Sequence, residues 1–327
     1  MRMRTLRSAT EGILLLTAIL MLIVKTEAAV GYAVNAVNLC LNKVIPSLFP
    51  FLVLSSLLLQ MKLPQKIGAS LGRRFGGVFG ESGAGVLLLG MIAGFPVGAS
   101  AAAELYREGG CEREEAQRMM ALSNLPSPGF ILAVGGTTFR NRAAAFVLLA
   151  AVDTAAIWLA AMGGRRSVDA YRTTKRKPVQ TVPLSSCFSK ACEIAVRSML
   201  LICAYVVVFG VITGFLPKNA LLRGGFELTT GIYSLSGWSA ETAAHAALLL
   251  GFGGLCVAAQ TLCFAEEAGL SMRYYIKMKL CQGILSAIHV FAVMKLRYWA
   301  LLLAAAEIAA AAIKNSGKKS KKVLYSE

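Results

Sequence analysis

Apolar stretches of about 18 residues or more recur along this chain, and that recurrence restricts its fold more than any motif does. Hydrocarbon offers no water to backbone N–H and C=O groups, so a spanning segment must be a helix or a strand of a closed barrel. A barrel would alternate apolar and polar residues in segments of about ten, and the sequence has no such pattern. Of the 327 residues, 56% are hydrophobic and only 16% charged, too few charges for a soluble domain of this length. The sequence predicts an all-α polytopic membrane protein.

The net charge of +17 lies beside or between the apolar stretches: MRMRTLR at the start, GRR at 72–74, RRSVDAYRTTKRK at 165–177 and KKSKK at 318–322. Such placement orients a chain in the lipid bilayer and attracts anionic lipid. It does not build a module that reads bases, so no nucleic-acid partner is expected. The eight cysteines are scattered without a CxxC pair, and His245 and His289 are the only histidines. Neither a disulfide framework nor a metal centre is expected, and no cofactor is implied. No Ser–His–Asp set, HExxH or P-loop appears, which argues against an enzyme.

The first span is expected at 12–30, uncleaved, with signal cleavage near Ala28–Ala29 as the alternative. A second follows at 37–61, carrying Lys43, then a basic loop. Segment 84–106 is apolar but broken at its centre by GMIAGFPVGA (90–99). A third span at 116–137 is interrupted by SNLPSPG (123–129), and a fourth at 144–162 contains Asp153. If 84–106 enters and leaves on one face, the N-terminus, 62–74, 107–118 and the basic linker all lie on the cytoplasmic side, as the positive-inside rule requires. A re-entrant hairpin is therefore expected there. Its freed backbone groups require burial in protein or a cavity to line.

The second half repeats the order of features. Residues 87–108 align with 248–269, 146–158 with 301–313 (setting Asp153 against Glu307), and 41–60 loosely with 194–214. Each unit would hold three crossings and one re-entrant broken-helix hairpin, so the two repeats have inverted topology, as in many secondary transporters. The expected organisation is an N-terminal helix (1–34), a first repeat (35–163), a basic linker (164–189), a second repeat (190–314) and a basic tail (315–327). This count places the C-terminus outside, whereas KKSKK points inside.

A half-helix ending at the bilayer midplane offers unpaired N–H groups and a positive dipole end, which attract an anion. Gly94, Pro96 and Gly98 form the first candidate tip, with Ser100 beyond it. Gly253 and Gly254 form the second, with Gln260 and Thr261. Ser123, Asn124 and Ser127 in the broken span would complete a site for a small anionic solute. The alternative for the glycines is close helix packing. Asp153 and Glu307, ionisable within apolar spans, are candidates for ion coupling.

The stretches NKVIPSLFPFLVLSSLL, GMIAGFPVGA, SNLPSPGFI, GFGGLCVAAQ and YYIKMKLCQGILSA resemble the sporulation integral membrane proteins of the YlbJ type. Those belong with the nucleoside-recognition or Gate domain superfamily, related to concentrative nucleoside transporters. The resemblance covers roughly residues 35–295. It implies an inner-membrane protein of the mother cell in spore formation, in the membrane around the forespore, with dipicolinate as cargo. A homo-oligomer or other sporulation membrane proteins are the further partners considered. The rival readings are a non-transporting scaffold or receptor of a sporulation complex, and a nucleoside-type transporter.

Overall fold

The structure is a computed structural model that describes residues 2–61, 83–162 and 184–296. Most of the 164–189 linker, Glu307 and the 315–327 tail lie outside the described residues. Every regular element among the described residues is helical. Five helical stretches are long and apolar enough to cross a membrane: Thr26–Leu58, Arg142–Ala160, Ser186–Gly214, Ala240–Glu267 and Met272–Lys295. The chain is a multi-pass membrane protein.

Helix α1 (Arg2–Val24) ends at a backbone break on Lys25, and α2 (Thr26–Leu39) starts a new segment. The expected first span at 12–30 is thus divided at Lys25. Residues from 26 onward continue through a π-turn at Cys40–Val44 into α3 (Ile45–Gln60). Helix α9 (Leu184–Gly214) runs antiparallel to this crossing. Tyr32 meets Phe215 edge-on at 5.1 Å, Gly210 presses on Ala36, and Leu57 packs with Cys187 and Ala191 at the other extreme. That extreme adjoins the basic loop 62–82 and the basic linker, and is called the basic end below.

Helices α4 (Gly83–Ala93) and α5 (Val97–Arg107) fold back on each other. A Cβ placed on Gly90 would lie 1.9 Å from the Ser123 carbonyl oxygen, and one on Gly98 2.0 Å from the same atom. The two glycines are therefore within about 4 Å of each other at their Cβ positions, where one continuous helix would separate them by about 12 Å. The turn uses Gly94, at φ +79°, in the left-handed region that favours glycine.

Helices α6 (Arg113–Leu122) and α7 (Pro128–Thr137) make one crossing interrupted at 123–127. Helix α8 (Arg142–Met162) returns beside them. Arg118 bonds to the Ala160 carbonyl near one end of α8, and Gly135 abuts Ala145 near the other, so α6 and α7 are separated along α8 by roughly 22 Å.

In the second half, α10 (Ala220–Phe226) and α11 (Leu228–Tyr233) are a short folded-back pair, since a Cβ on Gly231 would come within 2.1 Å of Gly224 Cα. Helices α12 (Ala240–Phe252) and α13 (Gly254–Glu267) follow, then α14 (Met272–Leu296). Here the expectation needs correction. Trp238, before α12, stacks edge-on at 5.0 Å with Phe139 beyond α7. At the far end of α13, Glu267 pairs with Arg107 at 3.2 Å, and Arg113 donates to the Gly269 carbonyl at 2.8 Å. Thus α12 and α13 cross from one end to the other, antiparallel to α6 and α7. They are a broken crossing, not a second hairpin. The two consecutive left-handed glycines, Gly253 and Gly254 (φ +86° and +79°), interrupt its hydrogen-bond ladder without reversing the chain.

The 107–118 loop is not wholly solvated as its charges suggest. Glu115 is buried in the first turn of α6.

Candidate functional site

Two turn-back points and two broken crossings converge on the interior. Close packing explains the glycines of the first. Gly90 and Gly98 clamp the Ser123 carbonyl from both sides, and a Cβ at Gly94 would lie 2.6 Å from the Ser127 amide nitrogen. The opening break and the SNLPSP break are one packed unit. In the second half the equivalent contacts go to α14: a Cβ on Gly251 would meet Gly283 Cα and Ser286 Oγ at 2.8 Å.

Ser123 and Ser127 are spent on their own helices. Ser123 Oγ donates to the Met119 carbonyl at 2.6 Å, and Ser127 Oγ accepts the Phe130 amide, capping α7 and satisfying a group the break would orphan. Asn124 is different. Its side-chain amide donates to Tyr275 OH at 2.7 Å and to Thr261 Oγ1 at 3.0 Å, both from the second half. Its backbone carbonyl, freed by the break, accepts from Lys279 Nζ at 2.8 Å. Lys279 also donates to Gln282 Oε1 at 2.7 Å, and Gln282 Nε2 reaches the Val152 carbonyl at 3.4 Å. Asn124, Thr261, Lys279 and Gln282 are all buried, and Asn124 Oδ1 has no hydrogen-bond partner among the described residues. No acidic side chain among the described residues lies within ion-pair distance of Lys279.

This lysine is not among the residues expected from the sequence. Its signal was present: Tyr275, Lys279, Gln282, Ser286 and His289 are spaced 4, 3, 4, 3 along α14, which puts polar groups on one face of an otherwise apolar helix. His289 Nδ1 lies 3.2 Å from Thr154 Oγ1.

Pro96, Ser100 and Gln260 border one cavity of about 330 Å³, together with Ser56, Arg197, Ser198 and Tyr205. Arg197 and Tyr205 come from α9, and Arg197 was also absent from the expected set. Gln260 lies deeper as well, beside Glu227 and Phe95 in a second, smaller cavity where the two turn-backs meet. Glu227 is buried and caps α11 by accepting the Thr229 and Thr230 amides.

The structure thus brings together three groups of expected residues: Gly94 with Ser127 and Gly98 with Ser123, Asn124 with Thr261, and Pro96 and Ser100 with Gln260. Gly254 instead abuts the Gly224 carbonyl at 2.9 Å from its Cβ position, and Gly253 ends α12. Asp153, on α8, has a buried Oδ1 without a hydrogen-bond partner among the described residues, but it is not among the residues that line the larger cavity. Among the described residues no cluster of His, Cys, Asp and Glu is arranged to hold a metal ion.

Among curated proteins the chain is 27% identical over 307 residues to the sporulation integral membrane protein YlbJ of Bacillus subtilis (strain 168), covering 79% of this chain and 75% of that protein. That likeness supports a YlbJ-type assignment. No protein-family profile and no solved structure matches the chain. The YlbJ-type resemblance read from the motifs agrees with the similarity over most of the chain.

Proposed function

We propose that this chain is a membrane carrier of a small organic anion acting in spore formation, with dipicolinate as the cargo implied by its YlbJ-type resemblance. The carrying observation is the opposed course of its halves. The crossing α2–α3 runs against α9, the broken crossing α6–α7 against α12–α13, and α8 against α14. We read them as two inverted repeats, in which the re-entrant pair α4–α5 corresponds to α10–α11. The earlier alignment of 87–108 with 248–269 is replaced by this register.

Two repeats of opposite direction have two near-equivalent packings, and exchanging them moves a central site from one face to the other. Broken helices at membrane depth persist where they are buried or line a cavity. Both conditions apply to the breaks described above, which meet around the Asn124–Lys279 network and the neighbouring cavity.

The test is uptake of labelled pyridine-2,6-dicarboxylate by proteoliposomes containing the purified full chain. Saturable uptake above protein-free liposomes is expected. Its absence from monodisperse, correctly inserted protein would favour the scaffold reading.

A further inference from the structure

We infer that Arg197 is the carboxylate-binding residue of a solute site formed by the 330 Å³ cavity between α3, α5, α9 and α13. This rests on the carrier reading and adds the group that selects the cargo. Arg197 lies eleven residues inside the crossing Ser186–Gly214, about 16 Å along the helix. Its side chain is exposed, and because a charge facing hydrocarbon is costly the guanidinium needs a partner or water. Among the described residues no hydrogen bond or ion pair occupies it, and it borders the cavity.

Glu267 also borders the cavity, but Arg107 neutralises it from the basic end at 3.2 Å. Arg197 is thus the charged lining residue that is in no ion pair among the described residues. The same cavity is lined by neutral hydrogen-bonding groups from three elements: Ser100 from the folded-back pair, Ser198 next to the arginine on α9, and Gln260 from the broken crossing. A planar guanidinium with five donors grips a carboxylate through two parallel bonds, and a lysine cannot reproduce that fork. The volume lies at the low end for small-molecule sites. Together the charge, the donors and the size specify a small mono- or dicarboxylate, held between two elements of the first half (α3 and α5) and two of the second (α9 and α13). Such a bridge ties binding to the relative position of the halves.

The test is equilibrium binding of labelled pyridine-2,6-dicarboxylate to the full chain in detergent, with uptake measured in parallel. Arg197→Gln should weaken binding at least tenfold, and Arg197→Lys should fall between it and wild type. Pyridine-2,6-dimethanol, the neutral analogue, should compete at least tenfold more weakly than the unlabelled dicarboxylate for wild type. Wild-type affinity in Arg197→Gln would overturn the assignment of Arg197 while leaving the carrier reading intact. Equal competition by the neutral analogue would overturn it without requiring a variant. Neither binding nor uptake by wild type would overturn both.

Discussion

At the scale of single residues, Gly98 and Lys279 contribute in opposite ways. Gly98 matters for what it lacks: a methyl group would overlap the Ser123 carbonyl, whose oxygen lies 2.0 Å from the Cβ position. Gly98→Ala should therefore destabilise the protein by about 1–3 kcal/mol, as overpacking does in other cores, and thermal unfolding in detergent would register it. Lys279 matters for its bonds. Lys279→Met removes the donor to Asn124 O and Gln282 Oε1, and each stranded acceptor costs about 1–3 kcal/mol. Lys279→Gln retains a donor and should recover part of the loss in the same measurement. The glycine break was legible because glycine and proline interrupt an apolar run conspicuously. The lysine was not, because its distant partner, the Asn124 carbonyl, comes from the break between α6 and α7, whose proximity no local pattern encodes. Its spacing with Tyr275, Gln282, Ser286 and His289 was nonetheless readable.

At the scale of elements, the course of α12 and α13 separates this structure from the plan expected of the sequence. Both 84–106 and 240–267 are apolar runs broken by glycines near the middle, and a one-dimensional pattern does not distinguish a reversal from an interrupted crossing. The contacts at the ends do: Trp238 meets Phe139 and Glu267 meets Arg107 at opposite extremes. In a cysteine-replaced background, Ser236→Cys and Ser271→Cys should react with an impermeant thiol reagent from opposite faces of the membrane. Labelling from the same face would restore the hairpin. The actual folded-back pair of the second half, α10–α11, escaped notice because its helices are only 7 and 6 residues long, with Arg223 in the first and Glu227 between them. Such a segment reads as a polar loop. It becomes structure through the contact of Gly224 with Gly231 and the capping carboxylate of Glu227.

At the scale of the whole molecule, hydropathy alone predicted the helical membrane class, while the pairing of the halves required tertiary contacts. The register also bears on the tail. Helix α14 starts beside α13 at the basic end and leaves at the other. A tag after Leu296 should therefore lie on the face opposite a tag at Met61, as protease accessibility of sealed vesicles would reveal.

The central claim is a carrier whose opposed halves exchange a single site between faces. Counterflow tests it most directly: proteoliposomes loaded with unlabelled pyridine-2,6-dicarboxylate are diluted into a trace of the labelled anion. The account predicts transient accumulation of label above equilibrium, driven by the outgoing anion, and none in unloaded vesicles. Label that only equilibrates, at the same rate with or without internal anion, would contradict an alternating carrier.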